Sequence, residues 1–333
     1  MIVSICIPTL NRSKYLEIAL KSIFSLKHNQ DNFQICISNN NSDEDYTNIE
    51  NLITKNSKEW KIKYKKHDKR LELDNNIQYV TSMAEGEYVY YLGDDDLFIT
   101  EDLIKLLNLL QKEKPDLLVF NSNVINKDGE IISICNNFEL KKYTNAFDAF
   151  KDLQTKCTFG SILVKRVHLD LEEFKRYYGS SHAYGYVYWI KFLNEDKKYN
   201  IVVPDFPCSC IRAAEKNYNF IKVWYRDIPF GLSIYFRYLE APENKLYVYN
   251  VLKKIKKYIF SVKFIARELY NGAKRNDFYV INPVFTNSIR FNLNYLIAFF
   301  IVKVKIYTFL KKIKIKVKNE SCITSRWIRN KNK

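Results

Sequence analysis

Glycine and proline are scarce in this chain, with 8 and 7 among 333 residues. Collagenous and low-complexity chains need far more of both. A disordered chain lacks the apolar mass found here, where 47% of residues are hydrophobic and 15% aromatic. No Cys-x-x-Cys occurs; the 7 cysteines are scattered, with one Cys-x-Cys at Cys208 and Cys210. Neither a disulfide framework nor a zinc knuckle is expected from that, and an odd number of thiols fits a reducing cytoplasm. Long apolar runs are also missing. The longest stretches from Tyr295 to Val302, far short of the roughly 20 residues a spanning helix requires. The opening residues Met1 to Pro8 carry no basic stretch and read as a strand, so no signal peptide is expected.

Charge is abundant and unevenly placed. Residues 241–333 hold 21 Lys and Arg against 4 Asp and Glu, a net of +17. The other 32 bases and 33 acids lie in residues 1–240, which are nearly neutral, so the whole formal charge of +16 belongs to the C-terminal stretch. A division at about residue 240 is therefore expected. Residues 1–115 and 116–240 are expected to form two halves of the body, and 241–333 a basic, mainly helical extension.

Short apolar strands alternate with amphipathic helices over the first hundred residues. Ile2–Ile7 stops at Pro8 and reads as a buried parallel strand. Ser13 is placed to cap a helix carrying Leu16, Ala19, Leu20 and Ile23. Phe33–Ser38, Ile62–Tyr64 and Glu87–Leu92 read as further strands. Asp43 is placed to cap a helix carrying Ile49, Leu52 and Ile53. A helix over Asn76–Ala84 is expected to end with Gly86 as its C′ residue, and Thr100 to cap one carrying Leu103, Leu106, Leu107 and Leu110. This order predicts a doubly wound, mostly parallel α/β sheet whose ligands bind at the carboxyl ends of the strands. Farther on, Asp116–Ile125 and Ile131–Cys135 flank Asp128-Gly129 as a hairpin, a helix follows Thr144, and Ser161–Val164 is a strand. Helices are expected over 183–193 and, as one continuous element, over Val251–Leu269.

The sharpest chemical feature is Gly93-Asp94-Asp95-Asp96 after the strand Tyr88–Leu92. Adjacent carboxylates at a strand end repel one another unless a cation or hydrogen-bond donors neutralise them. A hard divalent ion, Mg²⁺ or Mn²⁺, suits such oxygens and would keep room for diphosphate oxygens. A solvated acidic turn capping the next helix is the competing reading.

Five motifs in order shift that balance. Pro8-Thr9-Leu10-Asn11-Arg12 follows the first strand and Ser38-Asn39-Asn40-Asn41-Ser42-Asp43 the second. Leu73-Asp74-Asn75-Asn76, Ala84-Glu85-Gly86-Glu87-Tyr88 and Gly93-Asp94-Asp95-Asp96 come next. Together they resemble the family 2 glycosyltransferases of GT-A fold, in particular the abequosyltransferase-type enzymes of bacterial surface polysaccharide synthesis. The resemblance covers residues 1–100, thins to about 225 and is absent beyond.

That resemblance implies a metal-dependent, inverting sugar transfer from a nucleotide-sugar to a glycan or polyprenyl-linked acceptor. It implies that Pro8, Thr9, Asn11 and Arg12 lie against the nucleoside, with Asp74 and Asn76 in a further nucleotide-side loop. Asp94 and Asp96 match the ends of an Asp-x-Asp motif, with Asp96 the main metal ligand, and Asp95 reaches the ribose or the donor sugar. Asn39 stands where the family has an Asp that reads the base. An amide both accepts and donates, so cytosine is admitted beside uracil and thymine, or Asp43 supplies the carboxylate instead. No carboxylate marks the general base in Tyr178 to Tyr184, where His182 stands, with Glu195, Asp196 and Asp205 as fallbacks. Arg212 resembles an Arg that steadies the leaving diphosphate.

Two other classes compete with this reading. A nucleic-acid-binding or membrane-adapting protein with a degenerate domain would also carry a basic, aromatic tail, but has no reason to keep three repelling carboxylates together. Nucleotidylyl transfer would want a glycine-rich phosphate loop where Pro8 to Arg12 stands. No specific nucleic acid is expected as a partner. Leu296, Ile297, Phe300, Ile301 and Val304 recur at helical spacing before a lysine-rich run at 311–318. Such a segment is suited to an anionic membrane surface, which places the protein at the inner face of the cytoplasmic membrane. The alternative is a helix packed on the catalytic domain.

Overall fold

Strand β1 (Val3–Thr9) is buried along nearly its whole length, which requires a central place in a sheet covered on both faces. In the computed structural model, residues 2–26, 28–100, 102–136, 138–153, 160–172, 197–213, 239–259, 261–270 and 289–303 are described. The chain divides into two compact units: residues 1–217 with 230–246, and residues 218–229 with 247–333.

In the first unit, β1 leads through α1 (Ser13–Phe24) to β2 (Phe33–Asn39), then through α2 (Thr47–Asn56) to β3 (Lys61–Lys66). Helix α3 (Leu73–Ser82) precedes β4 (Tyr88–Tyr91). The strands lie in the order β3-β2-β1-β4, all parallel, with Cys6 opposite Cys36 and Tyr91. The order of winding reverses at β1, with β2 and β3 on one side and β4 on the other. Such a switch point opens a crevice beyond the carboxyl ends of β1 and β4, where such folds bind ligands. Leu16, Leu20 and Ile23 of α1 pack with Ile5, Ile7, Ile35, Ile37 and Tyr90 in one apolar core. Each such side chain contributes about 1.5–3 kcal/mol by leaving water.

The remaining strands of this unit are β5 (Leu97–Phe98), β6 (Leu117–Val119), β7 (Asn121–Ile125), β8 (Ile131–Asn136), β9 (Lys141–Tyr143), β10 (Ile162–Lys165), β11 (Ile201–Val203) and β12 (Pro207–Arg212). Helix α4 (Leu103–Glu113) follows β5, and α5 (Ala146–Leu153) follows β9. Among the described residues, β10, β6, β11 and β9 extend the large sheet beyond β4, while β5-β12-β7-β8 make a second sheet of four strands. This is the α/β architecture expected, parallel over the first four strands and mixed beyond them.

Several local expectations are overturned, among them Thr100 as a cap, since the helix it was to open begins at Leu103 with Asp102 as its N-cap. The run 116–125 is two strands, because the chain leaves the large sheet after Val119 and enters the small one at Asn121. Gly86 is not a helix C′ residue, since α3 is already closed by Met83 in right-handed helical conformation. Gly86 is needed because a Cβ there would lie 2.8 Å from the backbone nitrogen of Ser4. Asp45, not Asp43, serves α2, accepting from the Thr47 N–H at 2.9 Å.

The second unit contains most of α6 (Pro242–Ile259), with α7 (Val262–Tyr270) and α8 (Ile289–Lys303). The single helix expected over 251–269 is thus two helices. Ser261 breaks it, its hydroxyl oxygen accepting the Phe264 N–H at 3.2 Å as a new N-terminal cap. Phe264, Ile265 and Ala266 bury against Ala298, with Tyr295 and Val302 beside them. The opposite side of α8 exposes Leu293, Leu296, Ile297 and Phe300. Among the described residues, no helix is long and apolar enough to cross a membrane. The helix expected over 183–193 lies outside the described residues, as do Val304 and the run 311–318.

Candidate active site

The carboxylate loop begins where β4 ends. Asp94 and Asp96 are almost fully buried, an arrangement that demands compensation. Arg12, at the start of α1, supplies part of it. Its guanidinium lies 3.4 Å from Asp94 and is also ion-paired with Asp95. Burial works against the Arg12 charge, but Asp94 and Asp95 outweigh it and hold the guanidinium above its ordinary pKa.

A short relay supports the same carboxylate. The Tyr46 hydroxyl accepts from the Arg12 N–H at 3.3 Å and lies 2.9 Å from the Thr9 hydroxyl. Thr9 and the Leu10 backbone in turn hydrogen-bond Asp94. With the Thr9 proton directed to Asp94, Tyr46 donates to Thr9. Even so, burial pushes the Asp94 carboxyl up to about 7, with Asp95 adding to the rise. Asp96 is pushed up to about 8, by burial first and then by Asp95.

Asp96 faces a different surrounding. One oxygen accepts the Arg212 backbone N–H at 2.8 Å. The other oxygen, Oδ2, lies where a Cβ on Gly93 would come within 2.6 Å and one on Gly160 within 3.1 Å. Gly160 also has φ +86, a conformation that favours glycine. Two glycines thus leave a hollow beside one buried carboxylate oxygen. Among the described residues, no three His, Cys, Asp or Glu side chains converge into a cage. The donor set still fits a hard ion such as Mg²⁺ or Mn²⁺, because these take one or two carboxylates and fill the remaining positions with water and phosphate oxygens.

The loops after β1 and β2 close on each other. Asn11, at φ 53, donates its N–H to Ser42 Oγ at 2.9 Å and its amide to Asp43 at 3.3 Å. The Asp43 N–H returns a bond to Asn11 Oδ1 at 2.8 Å. Asp43 is exposed and ion-paired with Arg70. Glu44 accepts from both the N–H and the hydroxyl of Ser13 at 2.8 Å, so the start of α1 is capped from the neighbouring loop and not by Ser13 itself.

Asn39 is fully buried. Its oxygen accepts the Ser42 N–H at 3.0 Å and its NH₂ donates to the Tyr64 hydroxyl at 3.1 Å. Both halves of the amide are engaged within the loop framework. Asp74 and Asn76 are buried in the first turn of α3, and Asn76 accepts from Ser38 Oγ at 2.6 Å. Pro8 is the half-buried position of the otherwise buried β1, one residue before Thr9.

Arg212 lies at the end of β12, and its side chain points back to the carboxylate loop. Its Nε donates to the Asp95 carbonyl at 2.7 Å, and Nη1 to the carbonyls of Asn126 and Lys127 at 2.8 Å. Asp205 is exposed between β11 and β12, while His182, Glu195 and Asp196 lie outside the described residues.

The fold therefore brings Thr9, Arg12, Asp94, Asp95, Asp96 and Arg212 together, with Asn11 and Asp43 on the adjoining loops. Tyr46, Glu44, Gly160 and Tyr15, whose ring centre lies 5.1 Å from the Arg212 guanidinium, also belong to this framework, and no motif marks them. Gly160 had a signal, since glycine is so rare in the chain; the tyrosines had none.

The sequence profile described as glycosyl transferase family 2 matches residues 4–171. Abequosyltransferase RfbV of Salmonella typhimurium is 35% identical over 117 residues, 34% of this chain and 34% of that protein. A Campylobacter jejuni protein named GalNAc(5)-diNAcBac-PP-undecaprenol beta-1,3-glucosyltransferase is 32% identical over 132 residues, 38% of this chain and 40% of its own length. The matches thus span less than half of these relatives. Among solved structures, S. aureus TarS 1–349 in complex with UDP-GlcNAc gives a TM-score of 0.57 at 13% identity, over 90% of this chain and 79% of that one. Mannosyltransferase PcManGT from Pyrobaculum calidifontis, in complex with GDP-Man and Mn²⁺, gives 0.52 at 12% identity, over 91% and 86%. At such identities the likeness is one of fold, the GT-A glycosyltransferase fold.

Proposed function

Because the chain belongs to glycosyl transferase family 2, we propose that it is a metal-dependent glycosyltransferase of bacterial surface glycan synthesis. It moves a sugar from a nucleotide-sugar donor to a glycan or polyprenyl-linked acceptor with inversion. The observation that carries this reading is the buried Asp94–Asp96 loop facing Arg12 across the strand-end crevice.

Asp96, with Asp94, would hold Mg²⁺ or Mn²⁺, whose charge would neutralise the donor diphosphate as it leaves. Thr9, Asn11 and Arg12 form the wall against the nucleoside. Asn39 has its amide engaged with Ser42 and Tyr64, so it shapes the loop, and base contact falls to the exposed Asp43 beside Asn11. Asp95 is oriented by Arg12 towards the donor side. Inversion needs a base to take the acceptor hydroxyl proton as its oxygen attacks the anomeric carbon. His182 is proposed for that role, with Glu195, Asp196 and Asp205 behind it.

The reading also places the protein on the inner face of the cytoplasmic membrane. The +17 charge of residues 241–333, the exposed Lys253, Lys254, Lys257 and Lys263, and the outward apolar side of α8 support this, since each base near an anionic surface adds about 1 kcal/mol.

The test is a screen of UDP-, dTDP-, GDP- and CDP-sugars for thermal stabilisation with Mn²⁺ and with EDTA. One donor class is expected to raise the melting temperature only with the metal, by mass action. No stabilisation by any of them would count against the reading.

A further inference from the structure

We infer that Arg212 is a positioning residue that locks the carboxylate loop to the β7–β8 turn. The inference rests on the metal reading of Asp96 for its functional consequence, though the lock itself does not.

The guanidinium is oriented by partners on two separate chain segments. Nε donates to the Asp95 carbonyl, and Nη1 divides between the carbonyls of Asn126 and Lys127, at 2.7, 2.8 and 2.8 Å. The residue is only 7% exposed, and its guanidinium lies 5.1 Å from the centre of the Tyr15 ring of α1. A planar, five-donor group suits this multipoint attachment, whereas an ammonium lacks its fixed fork.

Both attached segments carry further hydrogen bonds. In the turn, the Asn126 side chain accepts the N–H groups of Asp128 and Glu130 at 2.9 and 3.0 Å, and Gly129, at φ 90, donates back to the Asn126 carbonyl. That carbonyl is therefore held by the turn before Arg212 reaches it. At the other end, the Arg212 backbone N–H fixes one oxygen of Asp96. The backbone of Arg212 thus aims Asp96 while its side chain grips the Asp95 carbonyl next door. Oδ2 of Asp96 is left in the hollow between Gly93 and Gly160. Groups that orient a metal-binding carboxylate in this way typically govern affinity by about 10- to 100-fold.

Three full-length proteins decide the matter: wild type, Arg212→Lys and Arg212→Ala. Hydrogen exchange is followed at residues 93–97 and 126–130, and Mn²⁺ binding by electron paramagnetic resonance. Both variants are expected to exchange faster in the two segments together and to bind Mn²⁺ about tenfold or more weakly. Ethylguanidinium added to Arg212→Ala restores both, and added ethylammonium does not. Unchanged exchange, or a rise in one segment alone, overturns the lock. If Arg212→Ala fails to fold, Arg212→Lys carries the same comparison. Wild type without Mn²⁺ binding would refute the metal reading alone, and exchange would still decide the role of Arg212.

Discussion

The guanidinium of Arg12 and the carboxylate of Asp94 meet at 3.4 Å across the gap between the first and fourth strands of the sheet. Both groups are largely shielded from water, so neither is well compensated by solvent. Arg12→Ala leaves Asp94 and Asp95 without this partner and is expected to cost about 3 kcal/mol. Arg12→Lys retains the charge and recovers part of it. Urea denaturation of the three proteins checks this, and equal stabilities would mean that the pair is a solvated surface contact.

Asn39 supplies a second expectation. Asn39→Asp replaces the donor to Tyr64 with a second acceptor and brings a charge into a fully buried position. A loss of about 2 kcal/mol is expected, with nucleotide preference unchanged. Asp43→Asn, at the surface, is expected instead to shift preference between UDP and CDP. Competition binding of the two nucleotides separates these outcomes, and a base switch in Asn39→Asp would return base reading to the buried amide.

His67 makes stability depend on pH. Its Nε2 lies 2.8 Å from Ser38 Oγ, whose own proton goes to Asn76, so Ser38 accepts and Nε2 carries hydrogen. Burial, with Lys65 beside it, lowers the His67 pKa below 6.5. The unfolded chain then binds the proton more readily, so this contribution is present above about pH 6.5 and is lost as pH falls through the folded value. The stability advantage of wild type over His67→Gln is expected to narrow as pH falls below about 6.5. That difference isolates His67 from the buried Asp94 and Asp96, whose raised values act in the opposite direction. Parallel slopes for the two proteins would contradict this.

Leu296 and Phe300 are 64% and 63% exposed on α8, so replacing them with Ser removes little packing. In the membrane reading each inserts below the headgroups. The double variant is expected to bind anionic liposomes about tenfold or more weakly at high salt, while the lysines still hold it at low salt. Co-sedimentation checks this. Binding equal to wild type, or indifference to lipid charge, would leave the stripe without a membrane role.

Much of this was legible in the sequence. The alternation from Val3 to Leu92 fixes strand and helix identity because each apolar run is bounded by a polar turn. Leu117-Leu118-Val119-Phe120 carries no such punctuation, so the change of sheet within it was invisible. The break at Ser261 was hidden by apolar periodicity that continues across it. At the site, the neighbours Asp94 to Asp96 announced themselves. The partnership of Arg212 with Asn126 and Lys127 joins residues more than eighty positions apart, and no local pattern encodes it. The engaged amide of Asn39 was likewise hidden, since Tyr64 lies on another strand.

The central claim is that Asp96 makes donor cleavage metal-dependent, and release of nucleoside diphosphate from the stabilising donor tests it most directly. Wild type and Asp96→Asn are compared with Mn²⁺ and with EDTA. The account predicts release by wild type with Mn²⁺, loss with EDTA, and a fall of about a hundredfold or more in the variant. The variant is also expected to melt no lower than wild type without metal, because the Asp96 carboxyl, pushed up to about 8 by burial, is then largely protonated and the amide replaces a neutral group of the same shape. Equal release by the two proteins, or a variant that loses activity only because it unfolds, would contradict it.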